Sequence, residues 1–247
     1  MKKILTTLIA TIALFGFAAT AMAADPNELL AKVDRNLNPE SYESYRKLIN
    51  IEPDGSKREY VLYTIKKGQD KVASVFLKPS SDKGRATLRL GENMWLNIPN
   101  VGKPIRITSL QSVTGGIFNN SDIMRLDFGA EYNAESVQEI EGGYKLILKA
   151  KADNVAYDKL EMTVNGEHDV PTEIKCITSS GMLIKTLYFK KITEFEGGRI
   201  RPAIMETVSP LNPGYKSIMI FAKVRSRDFD DEVFTLNYLP RIDSLRK

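Results

Sequence analysis

Between residues 42 and 226 apolar and polar side chains alternate in short runs, the period at which successive residues of an extended strand face opposite sides of a sheet. The runs are rich in β-branched and aromatic residues. Turn signals such as Asp54-Gly55, Lys67-Gly68, Gly142-Gly143, Asn165-Gly166 and Gly197-Gly198 separate them. The pattern predicts roughly ten to twelve strands, among them 60–65, 72–77, 86–90, 94–98, 105–108, 144–150, 160–164, 173–177, 183–189, 201–208 and 217–224. No helical period lies between most of them, so the expected architecture is an antiparallel meander forming a barrel-like or strongly curved sheet.

Two segments break the alternation. Asp25-Pro26-Asn27-Glu28 has the order of a helix start, with Asp25 as N-cap, Pro26 at the first helical position and Glu28 placed to complete a capping box. Leu29, Leu30, Val33 and Leu37 then share one face before Asn38-Pro39 ends the helix. Such a one-sided helix needs an apolar surface to lie on. The second break spans residues 109–128, where Asn119-Asn120-Ser121-Asp122 precedes Ile123, Met124, Leu126 and Phe128. It predicts a short capped helix with a largely apolar surface and a hinge at Gly115-Gly116.

The first 23 residues belong to a different pattern. Lys2 and Lys3 start it, residues 4–19 are uncharged, and Ala21-Met22-Ala23 is a small-x-small cleavage site, which together predict a secretory signal peptide over 1–23. Residues 24–247 then form a single domain without repeat or linker. The only cysteine, Cys176, is far from the cleavage point, so neither a disulfide nor N-terminal acylation is expected. This places the mature chain in solution outside the cytoplasm, in the periplasm.

Charge and chemistry narrow the function. Of 35 basic side chains, Lys2 and Lys3 lie in the signal segment, and the remainder nearly balances 31 acidic ones. Without a run of like charges, no nucleic-acid partner is expected. The single histidine, His168, stands beside a turn with no nucleophile motif, and Cys176 reads as a small core residue. One histidine and one cysteine cannot build a nitrogen- and sulfur-ligated metal site, and the glycines form no phosphate loop. The chain therefore reads as no enzyme, with no cofactor and no metal; paired carboxylates are the one catalytic apparatus left open.

The stretch from Lys83 through Asn93-Met94-Trp95-Leu96-Asn97-Ile98-Pro99 and Gly102-Lys103-Pro104-Ile105-Arg106-Ile107 resembles the outer-membrane lipoprotein-sorting proteins of the LolA-like superfamily. Leu110-Gln111-Ser112, Thr114-Gly115-Gly116-Ile117-Phe118-Asn119-Asn120-Ser121-Asp122, Gly181-Met182-Leu183-Ile184-Lys185-Thr186-Leu187 and Phe234-Thr235-Leu236-Asn237-Tyr238-Leu239 continue the likeness through nearly the whole mature chain. The resemblance implies a mainly β fold: an unclosed antiparallel half-barrel whose concave apolar face is covered by an N-terminal helix and a helical lid. It also implies a cavity for acyl chains. In the better-known carriers of this kind an arginine inside the barrel holds the lid through hydrogen bonds to lid backbone. Arg85, Arg89 and Arg106 are the candidates here, and the motif singles out none of them.

On this reading the cargo-facing side chains are Leu29, Leu30 and Val33 of the first helix, and Phe118, Ile123, Met124 and Leu126 of the lid. Leu88, Leu90, Trp95, Ile105, Leu146, Leu148, Met162 and Met205 would line the wall. Met94, Met182 and Met219 add to a set of flexible methionines suited to an adaptable pocket, and Lys103 and Arg106 are either contacts for an anionic head group or partner or solvated strand ends. The partners implied are lipid or acylated lipoprotein cargo and membrane-associated donor and acceptor proteins. The alternative is an accessory or sensor module that docks onto another periplasmic protein, for example an exporter of hydrophobic compounds.

Overall fold

The computed structural model describes residues 25–112 and 114–246; the predicted signal peptide lies outside them. Alternation does produce strands, thirteen in all among the described residues: β1 (Ser41–Ile51), β2 (Lys57–Lys67), β3 (Lys71–Lys78), β4 (Ala86–Leu90), β5 (Asn93–Asn97), β6 (Ile105–Ile107), β7 (Tyr132–Ile140), β8 (Gly143–Ala150), β9 (Lys159–Asn165), β10 (Val170–Ile177), β11 (Leu183–Phe195), β12 (Arg199–Val208) and β13 (Lys216–Ser226). The sequence pattern predicted ten to twelve. Its named examples omitted β1 and β7, whose runs Tyr-Glu-Ser-Tyr-Arg-Lys and Asn-Ala-Glu-Ser-Val-Gln carry polar side chains on both faces.

All thirteen belong to one open sheet in the order β6-β5-β4-β3-β2-β1-β13-β12-β11-β10-β9-β8-β7. Two meanders, β1 to β6 and β7 to β13, therefore meet at the β1–β13 pair, where a register shift falls between Tyr45 and Arg46. The edges β6 and β7 are consecutive in the chain and farthest apart in the sheet. Whatever joins them must cross the sheet. That joining segment carries α2 (Asn120–Ile123) and α3 (Phe128–Glu131).

Helix α1 (Pro26–Leu37) starts as expected, with the Asp25 side chain accepting from the Asn27 backbone N–H at 2.8 Å; Glu28 does not close the box. Asn119 does close one: it accepts from Asp122 N while Asp122 accepts from Asn119 N, each at 3.0 Å. Helix α2 ends after one turn, however, and Met124 and Leu126 lie in the bend before α3 rather than on one continuous helix.

The sheet separates two apolar clusters. On the concave face, α1 and the crossing segment pack over Leu48, Leu62, Phe76, Leu146, Leu148, Met162, Ile174, Leu187, Met205 and Met219. On the convex face, two 3-10 turns at Asp231–Phe234 and Leu239–Leu245 bring Phe229, Phe234, Leu239 and Ile242 against Tyr63, Ile65, Ala73, Val75, Ala86 and Leu88.

Candidate functional site

The concave face is apolar and its cover consists of two pieces. Helix α1 buries Leu29, Leu30, Val33 and Leu37 on the stripe read from its sequence. The crossing segment buries Phe118, Ile123, Met124, Leu126 and Phe128 in the same cluster. At about 2 kcal/mol for each such side chain, those five represent on the order of 10 kcal/mol of apolar burial.

Polar bonds fasten this cover at defined points. Arg46 of β1, at the register shift, donates to the Ile123 carbonyl at 2.8 Å. Arg89 of β4 donates to the Met124 carbonyl at 3.3 Å and pairs with Glu131. Lys185 of β11 donates to the Ile117 carbonyl at 2.9 Å and also bonds Asp122. The start of the segment is held by neutral groups: Asn50 and Tyr60 both donate to the Thr114 carbonyl at 3.1 Å, and Ile117 N donates to Ser217 Oγ at 3.0 Å. At the Gly115-Gly116 pair, a Cβ on Gly116 would stand 2.1 Å from Asn50 Oδ1. Gly116 is a close-approach glycine.

The two pieces of cover are also bonded to each other. Asp34 of α1 accepts from Phe128 N and Gly129 N, both at 2.8 Å, so one helix caps the start of the other. Burial, with Asp127 nearby, raises the Asp34 carboxyl to about 7, even though those two N–H bonds pull the other way. Asp127 in turn pairs at 3.0 Å with Lys66, whose side chain is 1% exposed. At the same C-terminal end of α1 the carbonyls of Arg35 and Leu37 accept from Arg199 and Arg201 of β12, cations placed at a helix C-terminus. Asp122, wholly buried, collects Lys185, Arg125 at 3.2 Å and Tyr157 Oη at 3.2 Å. Burial and that carboxylate push the Tyr157 hydroxyl well up, and burial pushes the Cys176 thiol to about 12, which makes it inert packing.

The residues expected to face cargo divide accordingly. Leu29, Leu30, Val33, Phe118, Ile123, Met124, Leu126, Leu146, Leu148, Met162 and Met205 lie in the concave cluster, as does Met219. Leu88, Leu90 and Trp95 do not. They belong to the convex cluster, because β4 turns Thr87 and Arg89 inward, and Trp95 sits opposite Leu88. Ile105 is 50% exposed on the edge strand β6, and Met182 lies in an exposed turn. Met94 is buried outside both clusters; Lys103 and Arg106 are exposed. Of the arginine candidates, Arg89 reaches the lid backbone, Arg85 pairs with Asp82 beneath the Phe76 ring, and Arg106 bonds Asn93 at the surface. Arg46 was missed although Tyr-Arg-Lys in a strand-length run offered a signal: an arginine flanked by residues of a buried period. His168 stays in the β9–β10 turn, where its carbonyl accepts from Asn36. Among the described residues no group of three or more His, Cys, Asp or Glu side chains could hold a metal ion.

The cover packs closely on the strands beneath it. A void of about 40 Å³ remains beneath it, between Leu37, Arg46, Phe128, Arg201, Met205 and Phe221. That is on the scale of a single water. Beside α3 the surface opens into two clefts, about 670 Å³ along α1 and about 340 Å³ between Arg89, Leu126 and Val155. Both reach Gly129 and Lys151, so α3 is bordered by open space on two sides.

Comparison with known proteins agrees with this geometry. A family model described as an uncharacterized protein matches residues 68–241. A LolA superfamily protein from Nitrosomonas europaea is 26% identical, with a TM-score of 0.79 over 88% of this chain and 100% of that one. A DUF1329 family protein from Desulfovibrio piger is 19% identical, with a TM-score of 0.74 over 87% of this chain and 97% of that one. A domain assigned as an outer membrane lipoprotein-sorting protein, from Vibrio parahaemolyticus, is 18% identical, with a TM-score of 0.71 over 87% of this chain and 98% of that one. No curated protein matches the chain. Among the described residues no helix is long and apolar enough to cross a membrane. The open antiparallel sheet, its covered concave face and the match over most of its length place this chain in the LolA-like superfamily.

Proposed function

We propose that this protein is a carrier that takes the acyl chains of a lipid or lipoprotein into the space now filled by its own cover and passes them toward the outer membrane. It works in the periplasm as one domain, residues 24–247, after loss of residues 1–23, and without catalysis. The observation that carries the reading is the fastening of the cover. Three cationic side chains rooted in three different strands each hold a backbone carbonyl of the segment that plugs the concave face.

The energetics support an exchange. A 16-carbon chain represents on the order of 10 kcal/mol of burial at about 0.8 kcal/mol per methylene, comparable to what the five cover side chains lose on leaving. Swapping one apolar surface for another is then nearly balanced, as uptake followed by release requires. The void of about 40 Å³ is far too small for such a chain, so binding at that position entails movement of the cover.

The test is native mass spectrometry of gently purified protein, together with displacement of the neutral dye Nile red by long-chain lipids. Co-purified lipid, or saturable displacement at one equivalent, is expected. A protein that carries no lipid and takes none up would sink the reading.

A further inference from the structure

Two of the buried cations on the concave side have no carboxylate. Arg46 is 5% exposed and donates to Ser44 Oγ at 3.1 Å, Tyr42 Oη at 3.2 Å and the Ile123 carbonyl. Arg201 is 3% exposed and donates to the carbonyls of Pro202 and Leu37 and to Asn38 Oδ1, the last at 2.8 Å. Every one of these acceptors is neutral. The two guanidiniums share one aromatic ring, that of Phe221, at 5.2 and 4.4 Å from its centroid, and both border the void of about 40 Å³. The only carboxylate at that void, Asp122, is already bonded to Lys185 and Arg125. A buried charge is ordinarily paired, and a stability role alone is served by an uncharged donor at lower desolvation cost.

The second observation is where the acceptors come from. Ile123 belongs to the lid, and Leu37 and Asn38 to the end of α1, so both arginines are bonded to the parts that must move for cargo to enter. When the cover lifts, each guanidinium loses acceptors at the moment space appears beside it. The site also lies close to solvent. Strands β12 and β13 pair only through Ile204–Thr207, and Pro202 brings no N–H to the diverging stretch. A surface groove of about 510 Å³ occupies this seam, with Phe221 in its lining as well as in that of the void.

We propose that Arg46 and Arg201 together form the binding site for the oxyanion headgroup, carboxylate or phosphate, of an acidic lipid whose chains occupy the concave face. The Ile123 and Leu37 carbonyls and Asn38 Oδ1 are stand-ins for that anion in the empty protein. Desolvation and the mutual proximity of the two cations already lower Arg201 to about 10, a repulsion that an anion between them relieves. The inference rests on the carrier reading and narrows it from any apolar cargo to an anionic one.

The test compares oleate with oleyl alcohol, chains of equal length with and without the charge, as competitors of Nile red at pH 8 and monomeric concentrations. Wild-type protein is expected to favour oleate by about tenfold or more, the factor that charge-assisted hydrogen bonds supply. In Arg201→Gln and Arg46→Gln the ratio should approach one, whereas Arg201→Lys should keep part of it. Inorganic phosphate alone should not compete; competition by phosphate at the same concentration would overturn the lipid assignment. A wild-type ratio near one, or variants in which both ligands weaken equally, would overturn the anion site and leave the carrier intact. Failure of both ligands to bind the wild type would take down the carrier reading itself. Because the wild-type ratio is decisive without any substitution, a variant that does not fold costs the experiment nothing.

Discussion

Both faces of the sheet are covered by apolar chain, but buried polar fastening is concentrated on one of them. On the convex face the segment around Phe229 to Leu245 continues directly from β13, and its aromatic and aliphatic side chains do most of the holding. Among the described residues the one buried charge there, Glu43, is neutralised within the same layer by Arg225 and Arg227 and also accepts from the Tyr63 hydroxyl. On the concave face the sheet contributes cations, and the cover meets them with the backbone carbonyls of Ile117, Ile123 and Met124 and with the carboxylates of Asp122, Asp127 and Glu131. Lifting the convex cover strands few charges; lifting the concave one leaves several donors without acceptors, at about 1 to 3 kcal/mol each if nothing replaces them. On the carrier proposal, a cover fastened in that way stays down until a replacement ligand or partner arrives.

Substitutions on the two sides should therefore differ in kind. The largest effect is expected from Ile242→Ala on the convex face, where the side chain is fully buried: a loss of about 2 to 5 kcal/mol in the global urea transition, with the sheet and its cover unfolding together. Leu126→Asp on the concave face should cost less in global stability, because placing a charge against the apolar wall is escaped by local opening of the crossing segment. The sheet transition should move by less than half the shift of Ile242→Ala while lipid retention falls sharply. Equal global losses from both, with unchanged lipid binding, would erase the distinction between a permanent and a releasable cover.

The smallest expected effect is one of pH. With its carboxyl raised from 3.8 to about 7, folded Asp34 keeps a proton that the unfolded chain gives up, so its contribution to stability is fully present below about pH 4. That contribution fades as pH rises toward 7 and is gone above it. Thermal unfolding followed from pH 5 to 8 should thus show a decline that Asp34→Asn removes. An identical slope in both proteins would mean that the α1–α3 contact plays no part in it.

Most of this architecture was legible because period two is a strong signal wherever one face is apolar. Strand 86–90 came out with its observed limits, and the helix at Asp25 with its cap and its buried stripe. The same signal failed on β4 for a physical reason. Leu88 and Leu90 alternate with Thr87 and Arg89, and alternation tells which residues share a face without telling which face is concave. The convex cover supplies a second apolar layer, and it lies more than a hundred residues away in the chain. Arg46 and Arg201 were illegible as a pair for a related reason, since only the β1–β13–β12 order brings them to one ring. The period of a strand can place one arginine on a buried face, but nothing in the sequence shows that two of them meet.

The crossing of the sheet between β6 and β7 limits how the protein can open. A flap hung from one side swings away and exposes everything beneath it, whereas a belt buckled at both rims can only bow outward. Its ends are fixed at Ile107 and Tyr132 on opposite margins of the sheet, and Ile123 and Met124 lie between them. On the carrier proposal, an entering chain threads from the flank, lengthwise under the belt, rather than dropping in from above.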